Sequence, residues 1–308
     1  MPASPPPTPA IEPTPASRHV FFSPARIWAI ATNTLLELFR LKVFYFLLIF
    51  ALVLIGSSAF MIEFNFQEQF QLLKDVSLGA MSIFTWLLSV LATAMLLPKD
   101  IEDRTLYTIL AKPVPRFEYL IGKLLGVLLL LLISTLVMSA LFVIALWGRE
   151  QMVIADTIRT STGTPPAQLE EVLRGIRSST FTFSLIPGIA IIYVKAALFA
   201  SLTLFISTFA SSTIFTIMVS MACYFIGHLQ GIARDYWLGS ATTGPLPRIF
   251  LALVALVFPD LQLFNLVDDI VAGNSIPMVL FAKTAALGGL YTCIYLLVAY
   301  FAFASKEL

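Results

Sequence analysis

"IPGIAIIYVKAALFASLTLFISTFASSTIFTIMVSMACYFI", Ile186 to Ile226, contains one charged side chain, Lys195. A helix crossing a hydrocarbon core of ~30 Å needs ~20 apolar residues, so this run is too long for one span and long enough for two. The small polar pair Ser211-Ser212 near its middle is where a turn fits. The run therefore reads as a hairpin of two spans, Ile186 to Ala210 and Thr213 to His228.

The same ruler works outward in both directions. Upstream it finds Val43 to Met61, between Arg40, Lys42 and Glu63, then Leu78 to Leu97, between Asp75 and Lys99. A third upstream span, Leu124 to Trp147, follows Lys123 and stops at Gly148-Arg149. Downstream, a last span lies within Pro277 to Ala304 (278–304), with Lys283 near its start and Lys306 beyond its end. Ile249 to Phe258 is only ten residues long and is closed by Pro259, which suits a re-entrant or interfacial piece. The expected fold class is all-α: a polytopic membrane protein of six transmembrane helices.

Composition agrees. Of 308 residues, 58% are hydrophobic and 12% charged, with mean hydropathy +0.90, more apolar surface than a water-soluble core can hide. A net charge of +1 leaves no basic field for nucleic acid. Cys223 and Cys293 sit far apart in apolar runs and read as small core residues. His19 and His228 are isolated and give no metal signature.

The flanks add peripheral elements. "MPASPPPTPAIEPTPAS" opens a proline-rich tail (residues 1–23) expected to be disordered, without the basic start and short apolar core of a signal peptide. The membrane domain is expected from Pro24 to Leu308. "PARIWAIATNTLLELFRLK" places Ile27, Ile30, Thr34, Leu35 and Leu38 at helical spacing, with Trp28 as a headgroup-level anchor. It reads as an interfacial helix bending into the first span, or as an extension of that span. "TPPAQLEEVLRGIR" reads as a short outer surface helix with an apolar face (Leu169, Val172, Leu173, Ile176) and a Glu170–Arg174 pair. With the N-terminus in the cytoplasm, ten Lys/Arg fall inside and seven outside, which puts both termini on the cytoplasmic side.

One inner connection stands out: "IEDRTLYTILAKPVPRFEYLIGK", Ile101 to Lys123. Asp100, Glu102 and Asp103 suit a helix N-terminus, Lys112 suits a C-terminus, and Pro113 stops the helix, so Asp100 to Lys112 is expected to be a short cytoplasmic helix. Arg104, Thr108 and Lys112 share one side, while Leu106, Ile109 and Leu110 take the other. After Pro113 and Pro115 the chain restarts into the third span, where Gly122 and Gly126 form a GxxxG that permits close helix packing.

The order E-x-R-T-L-x-x-I-L-A-K-P-x-x-R-x-x-Y-L-x-G-K, Glu102 through Lys123, resembles the loop between the second and third spans of ABC-2 type transporter permeases. "IWAIATNTLLELFRLKVFYFLLIFALVLI" resembles that family's entry helix and first span, and "LFISTFASSTIFTIMVSMACYF" its fourth-to-fifth hairpin. "FPDLQLFNL" (Pro259, Leu261, Phe264, Asn265) and "AYFAFASKEL" resemble its closing region. The resemblance covers the chain apart from the proline tail and Gly148 to Ser184, and leans toward the six-span branch described as involved in multi-copper enzyme maturation. It implies a permease subunit in the cell inner membrane that pairs with a second permease copy or homologue. ATPase subunits on the cytoplasmic side would drive it, and the loop after the second span would act as a coupling helix. On that reading Glu102, Arg104, Thr105 and Tyr107 touch the ATPase, while Pro113 and Arg116 set the angle at which the helix joins the third span. The chain has no GxxxxGK[ST] phosphate loop, so ATP and Mg²⁺ are expected only on the partner, with no cofactor of its own.

Lys195 has two readings. A charge at a helix centre costs ~2.5–3.5 kcal/mol on insertion scales and often marks a pathway. If the fourth span starts near Ile189, however, the ammonium lies ~9 Å in and can snorkel outward or form a structural pair. Lys283, near its span's edge, is expected to snorkel. A secondary transporter or channel working without an ATPase is the alternative, and it predicts paired ionisable groups at membrane depth. An intramembrane enzyme is disfavoured: HExxH and GxSxG are absent, and Asp268-Asp269 stands alone.

Overall fold

The computed structural model describes residues 23–58, 66–102, 115–160, 165–210, 212–239 and 257–305, with single positions at 246, 249, 253 and 254; side chains at 66–67, 101–102 and 233–239 are not described. Helices run over Pro24–Phe39 (α1), Lys42–Ser58 (α2), Phe66–Ala94 (α3), Leu96–Glu102 (α4), Arg116–Thr160 (α5), Pro166–Thr180 (α6), Leu185–Phe209 (α7) and Thr213–Gly239 (α8). A 3₁₀ turn follows at Leu261–Phe264, then Val267–Val271 (α9) and Met278–Ala304 (α10). The described residues contain no strand. Five helical segments among them are long and apolar enough to cross a membrane, and α1 with α2, bent by 69°, makes a sixth as a broken span. The chain is an all-helical, multi-span membrane protein.

Pro24 opens α1 at a position where its missing N–H is not needed. The buried face, Ile27, Ala31, Thr34 and Leu38, repeats at helical spacing. The chain then turns sharply into α2, which buries Phe44, Leu47, Ala51 and Ile55 while Phe46, Ile49 and Val53 face outward. Such outward apolar rows are what a lipid-facing helix requires. α7 differs: buried residues occur all round it, because α3, α5, α8 and α10 surround it. Gly288 lets α10 lie close along α7, since a Cβ there would stand 2.3 Å from Val194 Cγ1.

Several helix ends overrun the sequence expectation, while α3 stops at Ala94, short of the expected Leu97. α5 does not stop at Gly148-Arg149 but continues to Thr160, 45 residues in all. A helical glycine costs only ~1 kcal/mol and arginine is a good helix former, so neither residue is a stop. α3 begins at Phe66, which puts Lys74 and Asp75 inside the helix rather than before it. α8 continues past His228 to Gly239. These overruns build a cap at the end of the bundle away from α1. There Lys74 Nζ donates to the Ser179 carbonyl (2.7 Å), Arg149 Nη2 donates to Gln69 Oε1 (2.8 Å), and α6 buries Ile176.

The chain between α8 and α10 enters the bundle. Tyr295, seventeen residues into α10 and hence ~26 Å along it, donates its hydroxyl to the Val257 carbonyl (2.8 Å). From there the chain climbs back: Phe264 meets α10 at Gly288, and Ile270 packs against α7 at Gly188. The turn after α9 uses Gly273 at φ +80°, a conformation natural to glycine. Ser184 then ties that turn to the start of α7 through Asn274 O and Ile276 N, both at 3.2 Å. The returning limb of a re-entrant segment is thus described; Ile249 to Phe258, its expected body, lies mostly outside the described residues, as does the tail up to residue 22.

Candidate functional site

Two places concentrate polar chemistry. The first is the α1 end of the bundle. α5 starts just after Pro115, and its first turns place Glu118, Tyr119, Gly122, Lys123 and Gly126 on the buried side. α1 lies across them. A Cβ on Gly122 would stand 2.7 Å from Ile30 Cβ, and one on Gly126 would stand 2.6 Å from Thr34 Cβ and 2.8 Å from the Ala31 carbonyl oxygen. The GxxxG pair therefore sits at the α1–α5 crossing.

That close approach brings charges together. Arg26 donates from Nε to Glu118 Oε2 (2.7 Å) and from Nη2 to Oε1 (2.9 Å), and the Ser23 N–H donates to the same Oε1 (2.8 Å). One α1 turn beyond Thr34, Glu37 receives Lys99 (2.6 Å) and lies 3.7 Å from Lys123. Lys123, nearly buried, pairs with Asp100 at 2.6 Å, and the buried Tyr119 hydroxyl donates to the same Asp100 carboxylate. Glu37, Lys99, Asp100, Tyr119 and Lys123 thus form one knot joining α1, α4 and α5.

Asp100 is the correction here. α4 begins at Leu96, so Asp100 lies beyond its first turn and neutralises Lys123 instead of a helix N-terminus. Of the expected coupling residues, Arg104, Thr105, Tyr107 and Pro113 lie outside the described residues, and Glu102 is the last residue of α4 with its side chain undescribed. Arg116 is described. Its Nη1 donates to the carbonyls of Phe303 (3.1 Å) and Ala304 (2.8 Å) at the end of α10, and its guanidinium stands over the Phe303 ring. Both flanks of the stretch 103–114 are therefore anchored, one to α1 and α5, the other to α10. Sequence reasoning gave Glu37 and Glu118 no role and took Arg26, Lys99 and Lys123 only as inner charges or span boundaries. The available signal was that Lys123 shares a helical face with Gly122 and Gly126.

The second place surrounds Lys195. α7 starts at Leu185, because Pro187 falls in the first turn, where proline is tolerated. Lys195 is then ten residues in, ~15 Å from that end, and only 6% exposed. It does not snorkel. Its ammonium lies 5.7 Å from the centroid of the Tyr224 ring, within cation–π range. Tyr224 stacks on Trp86 of α3 (3.8 Å), with the His228 ring tilted against it at 4.2 Å and Phe199 at 5.5 Å. His228 Nδ1 is 3.1 Å from the Tyr224 carbonyl, which can only accept, so the Nδ1 proton lies in that bond. The returning limb brings Asp260 close enough to His228 to act on it electrostatically. The Asp260 carboxylate accepts the Gln262 N–H (3.0 Å). Lys283, by contrast, is exposed on α10.

Among the described residues, no group of three His, Cys, Asp or Glu side chains converges to hold a metal ion. Compared with known proteins, the sequence matches no family model and no curated protein.

Proposed function

We infer that the chain is the transmembrane permease subunit of an ATP-driven ABC transporter, an exporter working beside a second permease copy or homologue. The single observation that carries this reading is the double anchoring of the stretch 103–114. A push on it reaches α1 and α5 through Asp100 and Lys123, and α10 through Arg116. A lever linked to three helices suits a coupling element driven from outside the membrane better than it suits a passive connector. The absence of a phosphate loop in the chain supports a separate ATPase, which supplies ATP and Mg²⁺ chemistry at the α1 end, taken as cytoplasmic from the Lys/Arg bias.

Charge reversal of Glu102 and Arg104, one at a time, tests the reading. The expected result is lost co-purification of a soluble ATPase, or ATP hydrolysis no longer tied to transport, with membrane insertion unchanged. Normal coupling in both variants would reduce the stretch to a connector. The second reading, a secondary transporter or channel, draws on Lys195, His228 and Asp260, ionisable groups gathered inside the bundle. Vesicles containing the chain alone decide between them. Cargo movement driven by an ion gradient without ATPase would sink the first reading.

A further inference from the structure

Lys195 leaves a charge without a counter-charge in the middle of the bundle. Among the described residues no carboxylate lies within 4 Å of its ammonium, and only the π face of Tyr224 attends it. Beside the same ring, the buried indole N–H of Trp86 has no acceptor. Further along, the buried hydroxyls of Thr203 and Ser207 on α7 and Ser220 on α8, and the Gln230 carboxamide oxygen on α8, also lack hydrogen-bond partners. Hydroxyls elsewhere in the spans are satisfied by their own helix: Ser201, Thr208 and Thr135 each donate to a carbonyl one turn back, at 2.7–2.8 Å. Buried polar groups in folded proteins are nearly all partnered, so a local run of orphans points to a missing guest.

The chemistry of the two groups at the Tyr224 ring, Lys195 and Trp86, defines that guest. An ammonium and an indole N–H only donate, so the guest must accept hydrogen bonds. Water satisfies hydroxyls but leaves the positive charge unbalanced, and burying a charge without an opposite one is costly. Asp260 does not fill the role, being outside ion-pair distance of Lys195. Tyr291, its neighbour on α10, brings no negative charge while protonated.

We propose that the buried cluster of Trp86, Lys195, Phe199, Tyr224 and His228 binds a small anionic group. Lys195 supplies the charge and the Trp86 indole a directed hydrogen bond. The free hydroxyls of Thr203, Ser207 and Ser220 provide a polar approach from the α1 end. The binding stands on these residues alone; that the anion is cargo, or the head of an amphipathic cargo, rests on the permease reading. The anion can come from water or from a lipid headgroup.

The test uses the purified full-length chain in nanodiscs. In phosphatidylcholine discs, sulfate, inorganic phosphate and chloride are titrated while thermal unfolding is followed; in a second arm, phosphatidylglycerol replaces part of the lipid and native mass spectrometry counts retained molecules. Wild type is expected to show saturable stabilisation by at least one soluble anion, or retention of phosphatidylglycerol, and the arm that responds identifies the source. Lys195→Met is expected to weaken that binding at least ten-fold, and W86F, which keeps the ring but removes the donor, several-fold. Lys283→Met, on the exposed face of α10, is expected to bind like wild type. No binding in either arm, or equal binding by Lys195→Met, would overturn the site. Because Lys→Met removes a charge from membrane depth, the variant is expected to insert. Neither result depends on whether an ATPase co-purifies, so the two readings fail separately.

Discussion

The knot at the α1 end and the aromatic cluster at Lys195 each bury a lysine, and they treat it in opposite ways. Lys123 has Asp100 at 2.6 Å and Glu37 at 3.7 Å, with Tyr119 donating to the same Asp100. Lys195 has an aromatic face and no carboxylate within ion-pair distance among the described residues. A satisfied buried pair is structural: it holds helices in register and resists change. An unsatisfied one is a standing demand for something else. On the readings proposed above, the first region suits mechanical work and the second suits binding.

The largest expected effect breaks the first half of that contrast. Asp100→Asn leaves Lys123 buried with only the more distant Glu37, and stripping one partner from a buried pair costs about 3–5 kcal/mol. Equilibrium unfolding in mixed micelles is expected to show a loss of about 3 kcal/mol. The double variant Asp100→Asn with Lys123→Met is expected to recover most of it, since removing both charges from a buried site is close to neutral. A single-variant loss under about 1 kcal/mol would mean that the knot is solvated in the membrane and locks nothing.

The second test reverses the sign. In anion-free buffer, Lys195→Met removes a charge whose placement at membrane depth costs about 2.5–3.5 kcal/mol on insertion scales, so the chain is expected to gain about 2 kcal/mol in the same unfolding measurement. A loss comparable to that of Asp100→Asn would show that Lys195 is paired in the folded protein, and the contrast between the two lysines would vanish.

How these regions read in the sequence follows from what each depends on. The spans were legible because the bilayer imposes a length and a polarity that composition records directly, as in Ile186 to Ile226 with its Ser211-Ser212 pair. Lys195 was visible as the lone charge of that run, but its depth was not. Pro187-Gly188 looks like a helix boundary, whereas a proline in the first turn is no boundary at all. The knot was illegible for another reason. Lys99 and Lys123 look like ordinary flanking charges, and only the crossing of α1 over Gly122 and Gly126 brings Glu37 and Asp100 to them. Asp260 was hidden by the re-entrant limb, because the apolar run before it says nothing of where the returning chain passes.

The smallest effects come from two glycines on one helix, and they sharpen the mechanical half of the comparison. At Gly126 an added Cβ meets the Ala31 carbonyl oxygen at 2.8 Å, and that backbone cannot move without shifting α1. Overpacking of this kind costs about 1–3 kcal/mol, against about 1 kcal/mol gained from alanine's helix propensity, so Gly126→Ala is expected to lose about 1 kcal/mol. At Gly148 a Cβ would have nothing within 4 Å, so Gly148→Ala keeps the whole propensity gain, again about 1 kcal/mol. Opposite signs for the same substitution would tie the cost at Gly126 to the α1 crossing. They would also establish that α5 runs unbroken through Gly148, since alanine stabilises that position only if it is helical. A loss at Gly148 would mean that the helix ends there in the membrane, and the cap built by α3, α5 and α6 would have to rest on a joint instead of a continuous rod.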